Sequence, residues 1–347
     1  MNRVVFVSLT ILFLLSMSSI TGLLQVAKAE SGTITINADG SISPSTAPIY
    51  TADNVTYTLT GNITSAPDGI LIERNNIVLN GAGYTVSGSG SYNGITLSNI
   101  SNVIVTNMTI TNFVIGIAIT NFIPSSDNNT LSGNTVTANG GDGVFLESSN
   151  DTLSGNNVTA NSSDGVFLES SFNWTLSSNN VANNGLCGIE LDSSSDNTLS
   201  GNNVTNNRIG IVLVSSSNNT LSGNPIANNQ YGIRLDSSDS NFIFHNNFVN
   251  NTNQAFTDGS PNIWDNGNSG NYWSDYLTKY PNATQVDSSG VWNTPYVIDT
   301  NNTDYYPLTV SIVVVPEFPM IQAAMFFMLL TLLAVIVFKK KGVKNAS

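Results

Sequence analysis

Short bursts of alternating apolar and polar residues run along most of the chain, separated by Ser, Asn and Gly. In GVFLESSNDTLSGNNVTANSSD, residues 143–164, the bursts are Val144 and Leu146, then Leu153, then Val158. Residues 165–187 repeat them as Val166, Leu168, Leu176 and Val181. Alternation of this kind between turn residues predicts strands, not helices. Gly, Asn and β-branched residues are also poor helix formers. Aligned on a Gly before a β-branched pair, the units begin at Gly69, Gly94, Gly116, Gly143, Gly165, Gly188, Gly210 and Gly232, in steps of 25, 22, 27, 22, 23, 22 and 22 residues. A steady period in this range means a solenoid. Three short strands in so tight a coil cannot pair with one another, so each pairs with its copy one coil later. The predicted fold is all-β, a right-handed parallel β-helix of about 22-residue coils stacked roughly 4.8 Å apart.

The turns agree with this. Asn156, Asn179, Asn202, Asn224 and Asn246 recur at one corner. Asn tolerates the left-handed backbone of a sharp corner, and stacked Asn amides can form a ladder. The 27-residue step holds an insertion around residues 121–127, expected as a protruding loop. Rod ends expose strand edges and need covers. GTITINADGSISP from Gly32 is the expected N-terminal cover, and the aromatic-rich stretch 253–309 the C-terminal one.

The chain ends belong to a different chemistry. Residues 1–29 combine Arg3, an apolar run and Ala27-Lys28-Ala29, the pattern of a signal peptide cut after Ala29. Residues 320–338 form an apolar run long enough to cross a bilayer, and Lys339, Lys340 and Lys341 open a basic tail, 339–347, expected to stay in the cytoplasm. The expected organisation is therefore signal peptide (1–29), β-helix (30–252), cap (253–309), linker (310–319), transmembrane helix (320–338) and tail, with the body anchored on the outer cell surface. Between residues 30 and 319, Arg74, Arg208, Arg234 and Lys279 face all 23 carboxylates, a net charge of −19. That excludes a nucleic-acid partner. A single cysteine, Cys187, rules out an intramolecular disulfide. Between the same residues, fourteen Asn-x-Ser/Thr triplets, among them Asn128, Asn150, Asn161, Asn173, Asn203 and Asn218, are candidate N-glycosylation sites.

GTITINADGSI, NNIVLNGAGYTVSG, the Gly-Ile-x-Leu coils and GNYWSDY…TPYVID…DYYPL together resemble the NosD-like β-helix proteins abundant in archaea. That family takes its name from periplasmic copper-binding proteins, so the resemblance implies copper handling. Copper prefers His, Cys or Met, and between residues 30 and 319 only His245, Cys187 and Met108 qualify near the repeats, each in a different coil. The tail PEFP, apolar run, KKK resembles PEF-type sorting signals. This implies that Pro316, Glu317 and Phe318 are read by an archaeosortase and the helix removed; a retained anchor is the alternative. Similar caps carry an acidic calcium-type run before TPY; here only Asp287 remains of it.

One constellation stands out. With Val144 and Leu146 inward, Phe145 and Glu147 point outward. The same columns hold Phe167 and Glu169, Glu190 and Asp192, Val212 and Val214, then Arg234 and Asp236, while Asp142 and Asp164 precede the glycines of their coils. Three readings stay open. The face is a solvated surface that keeps the rod soluble. Alternatively, Phe145, Glu147, Phe167, Glu169, Asp192 and Asp236 bind extracellular or cell-envelope polysaccharide, with calcium bridging Glu147, Glu169 and Asp192. Lastly, it is a lyase-, hydrolase- or epimerase-like active site using Glu147, Glu169, Glu190, Asp192 and Arg234, as other parallel β-helix enzymes do. A carboxylate among these that titrates above its neighbours would favour catalysis.

Overall fold

In the computed structural model, residues 32–65, 67–120 and 128–312 are described. They form a parallel β-solenoid of about 9 turns with roughly 23 residues per coil. The signal peptide, insertion loop, sorting motif and transmembrane segment lie outside these residues. Among the described residues no helix is long and apolar enough to cross a membrane.

Each coil contributes one strand to each of three sheets. In one coil these are Cys187–Asp192 (sheet 1), Thr198–Ser200 (sheet 2) and Asn203–Thr205 (sheet 3). The sheets contain 11, 10 and 10 strands. Pairing follows the glycine alignment: Ile70 lies beside Ile95, Ile117 beside Val144, Val166 beside Ile189, and Ile211 beside Ile233. The apolar bursts all turn inward. Val144, Leu146, Val158, Val166, Leu168, Leu176 and Val181 are fully buried, and Leu153 nearly so. The glycine before each sheet-1 burst cannot be replaced, because a Cβ on Gly188 would sit 2.4 Å from Val204 Cγ1 and 2.6 Å from Gly210 O.

The corner column was expected as a ladder, and it is one of three buried ones among the described residues. Side-chain amides link Asn134, Asn156, Asn179, Asn202, Asn224, Asn246 and Asn271 between sheets 2 and 3, at 2.8–3.1 Å. A second ladder joins Asn139 through Asn161, Asn184, Asn207 and Asn229 to Asn251 between sheets 3 and 1. A third runs from Asn197 through Asn219 and Asn241 to Asn262 between sheets 1 and 2. Below Asn197 this last column changes to the buried Trp174, whose indole N–H donates to Ser148 O. Every rung satisfies amides that burial would otherwise leave unpaired.

The parallel ladder continues past residue 252: Asn253–Thr257 pairs with Tyr231–Asp236, and Tyr272–Trp273 with Asn247–Val249. Above them Trp273 stacks on Phe248 at 4.5 Å and on Tyr296 at 4.1 Å. Asp304 is fully buried and accepts from Asn271 N, Trp273 Nε1 and Tyr306 N. At the opposite end Ile42–Ser43 folds back antiparallel on Ile34–Ile36, and Ile49–Thr51 on Thr56–Leu59. Antiparallel hairpins there occupy edges that would otherwise template pairing with another chain.

Candidate functional site

Sheet 1 carries the candidate site on its outward face. Phe145 is in register with Phe167, Phe167 with Glu190, Glu190 with Val212, and Val212 with Arg234. Two residues further along the strands, Glu169 lies beside Asp192, Asp192 beside Val214, and Val214 beside Asp236. All of these side chains are partly or fully exposed except Val212, which is buried. The Phe145 and Phe167 rings meet edge to face, centroids 5.6 Å apart. Arg234 pairs with Asp236 at 2.7 Å and lies over the Phe256 ring at 5.4 Å. It is thus held by its own strand neighbour and by the next coil.

A tighter cluster sits at the start of the same strands. Asp142, Asp164 and Cys187 occupy successive coils immediately before the recurring glycines Gly143, Gly165 and Gly188. Asp164 N donates to Asp142 Oδ1 at 3.1 Å, and Cys187 N to Asp164 Oδ1 at 2.7 Å. Cys187 Sγ donates to Glu190 Oε2 at 3.4 Å. Ligand atoms of Asp164, Cys187 and Glu190 all lie within 4.8 Å of one another, and no other such trio occurs among the described residues. Glu147, Glu169 and Asp192, the expected calcium bridge, stand in the neighbouring column and form no comparable trio.

Burial, with Asp142 close by, pushes the Asp164 carboxyl up; burial and then Asp164 do the same to Glu190. Glu190 is one of the four carboxylates weighed for catalysis. Burial, followed by the charges of Asp164 and Glu190, pushes the Cys187 thiol far up. The thiolate, not the thiol, is the reactive form. Cys187 is therefore expected to resist iodoacetamide in the folded protein at pH 8 and to be alkylated at the ordinary rate in urea. Rapid modification of folded protein would contradict this electrostatic description.

His245 does not approach the trio. It takes the corner position held by Gly201 and Gly223 in the two preceding coils, with φ 58° against their 63° and 66°. Its Nε2 lies 3.0 Å from Ser269 Oγ, its ring packs edge-on to Phe244, and burial lowers its pKa. Met108 is buried in the core. Asp287 is exposed and accepts from Ser289 N, closing a turn. The trio was not anticipated, although Asp142, Asp164 and Cys187 were visible one place before each glycine. The missing signal is burial, which the sequence pattern does not give for that position.

The fold and face define a β-solenoid with an acidic, aromatic strand surface. The family model described as periplasmic copper-binding protein (NosD) matches residues 20–186 and again 75–278. The chain belongs to the NosD family. No curated protein matches it by sequence. Among solved structures it is similar to the enzymatically active domain of tailspike protein 2 of bacteriophage CBA120, at 15% identity and TM-score 0.47 over 55% of this chain and 34% of that one. The A-module of the Azotobacter vinelandii mannuronan C-5 epimerase AlgE4 gives 16% identity and TM-score 0.46 over 70% of this chain and 80% of that one. The periplasmic alginate epimerase AlgG gives 17% and 0.44 over 58% and 65%. The chain thus spans about a third of the tailspike chain and just under two thirds of AlgG.

Proposed function

We propose that this is an exported surface solenoid, wound right-handed, that binds a linear polysaccharide along sheet 1 without cleaving it. The observation that carries the reading is register. Phe145, Phe167, Glu190, Val212, Arg234 and Phe256 form one column along the rod. Five coil steps make it roughly 24 Å long, at about 4.8 Å per step. Such a track suits an extended chain of several sugars, with rings against Phe145 and Phe167 and hydroxyls on Glu147, Glu169 and Asp192. Export is supported by the leader ending at Ala29, and surface attachment by the apolar run 320–338 with its basic tail. Pro316, Glu317 and Phe318 then serve as the sorting motif of an archaeal surface protein.

The catalytic alternative rests on Glu190. Its raised carboxyl is a suitable proton donor, but it faces Asp164 and Cys187, and Arg234, two coils further along this face, is paired with Asp236. Glycoside cleavage needs a second carboxylate placed across the scissile bond, and no residue of the track is set apart for that role. Copper handling, which the family description names, finds a poor donor set. The trio offers one soft ligand, a thiol that burial and then its carboxylate neighbours keep protonated, and neither His245 nor Met108 joins it.

The test is retention of the purified full-length chain on immobilised polysaccharides, with and without calcium. Phe145→Ala and Phe167→Ala are each expected to weaken retention about tenfold, the loss of one stacked ring at roughly 1.4 kcal/mol. Unchanged retention in the double variant would sink the track.

A further inference from the structure

Few large apolar side chains are well exposed along the repeats, and this changes at the C-terminal end. Between residues 128 and 252 the exposed ones are Phe172 and Leu186 alone. Between residues 253 and 312, a much shorter stretch, there are eight, from Phe256 to Val310. In the short helix Tyr276–Lys279, Tyr276 is buried and Leu277 is 51% exposed. In the hairpin of Tyr296–Val297 and Thr303–Asp304, Tyr296 lies opposite Asp304 and both are buried. Alternation turns Val297 and Tyr305 the other way, and they are 44% and 63% exposed. Val310 follows Thr309, whose N–H donates to Gly290 O, and is 69% exposed. The stack of Phe248, Trp273 and Tyr296 that closes the core uses none of these four. A group of exposed apolar residues on one end of a polar rod marks an interaction surface.

Where the chain goes next says what covers it. Ile312 is clamped to Asn247: Asn247 Nδ2 donates to Ile312 O at 2.7 Å, and Ile312 N to Asn247 Oδ1 at 2.8 Å. Asn247 is in register with Tyr272 of the cap. From Ile312 only residues 313–319 lead to the apolar run 320–338. So short a segment, fully extended, reaches at most about 25 Å. The far strand of sheet 1, Ile42–Ser43, is the eleventh counted from Asn253–Thr257, about 48 Å away by strand spacing. A bilayer holding the apolar run therefore meets the cap and not the far end of the rod. A second copy is the other candidate cover. The cap, 253–309, carries six Asp against Lys279 alone, so two caps brought together repel, as would an anionic surface.

We infer that the C-terminal cap rests on the lipid interface, with Leu277, Val297, Tyr305 and Val310 set among headgroups that carry no net charge. The inference rests on the surface attachment proposed above, with the apolar run in place. Tyr305 suits this depth, because a tyrosine keeps its ring in the apolar boundary and its hydroxyl in water. The rod then stands on its cap. The sheet-1 column runs away from the bilayer, with Phe256 nearest to it and Phe145 farthest.

The experiment reconstitutes the full-length chain, in a Cys187→Ser background, into phosphatidylcholine vesicles. A fluorescent dye is attached through Val297→Cys, Tyr305→Cys or, as a control on the middle of sheet 2, Thr152→Cys. All three positions lie on the surface, so labelling leaves the core intact. Lipid spin-labelled near the headgroup is expected to quench the dye at 297 and 305 about twofold and to leave it unchanged at 152, since interfacial side chains sit only about 5–10 Å deep. Replacing half of the lipid with phosphatidylglycerol should weaken that quenching; a rise would overturn the preference for uncharged headgroups. Equal signals at all three positions, in a chain that floats with the vesicles, overturn the inference alone. Dye at 297 that quenches itself as chain density rises, untouched by the spin label, makes a second copy the occupant and overturns it too. A chain that does not float with the vesicles overturns the attachment reading as well.

Discussion

Replacing Asn202 with alanine is expected to destabilise the solenoid by about 3 kcal/mol or more, whereas Asn203→Ala should stay within about 0.5 kcal/mol. The two residues are adjacent, and they differ in where they face. Asn202 is fully buried, and its Oδ1 accepts from both the backbone N and the side-chain Nδ2 of Asn179. Its Nδ2 donates to Leu176 O and to Asn224 Oδ1. Alanine strands two donors and one carbonyl where water cannot replace the amide, and each unsatisfied buried group costs roughly 1–3 kcal/mol. Asn203 is exposed and loses only a surface contact to Asn180. Urea midpoints of the two variants decide the matter. Equal shifts would mean that the ladder holds no more than an ordinary surface hydrogen bond.

The second large effect is a pH dependence of the C-terminal cap. Burial pushes Asp304 from 3.8 up to about 7, against the opposing pull of the donors Asn271 N, Trp273 Nε1 and Tyr306 N. Between those two values the folded chain holds a proton that the unfolded chain has released. Stability from this group is therefore fully present below about pH 4 and is lost as pH rises through about 7, by up to about 4 kcal/mol. Asp39, Asp53, Asp258 and Asp299 are shifted the opposite way, and their contributions vanish only as pH falls below the usual carboxylate range. Asp304→Asn should be less stable at pH 5, because Tyr306 N–H loses its acceptor, and should show a smaller decline between pH 5 and 8, keeping only what the raised Asp164 and Glu190 contribute. Thermal melts of both proteins across that range, with Trp273 fluorescence reporting on the cap, supply the comparison. A wild-type cap that gains stability from pH 5 to 8 would contradict the assignment.

Much of the fold was legible because its signal is local and repeated. The alignment on the recurring glycine gave the strand register from Ile70 to Ile233 without error, since a single slip would turn Val144 and Leu146 outward. The single expected Asn ladder was real, but two others went unseen. Asn-Asn pairs such as Asn183-Asn184 and Asn218-Asn219 contain one inward and one outward amide, and composition does not say which. The site was legible only in part. The outward columns followed from alternation, so Phe145, Phe167, Glu190 and Arg234 were placed correctly. The Asp164–Cys187–Glu190 trio depends on contacts across coils 23 residues apart and on the burial of Asp164, neither of which alternation reveals. His245 drew notice for its chemistry, while its actual place is that of a corner glycine.

Binding along sheet 1 without cleavage is checked by incubating the full-length chain with polysaccharides it retains and counting new chain ends. Retention that depends on Phe145 and Phe167, with no new ends, is expected. Chain ends that accumulate with the wild type and disappear in Glu190→Gln would contradict it and make the raised carboxyl of Glu190 a catalytic acid.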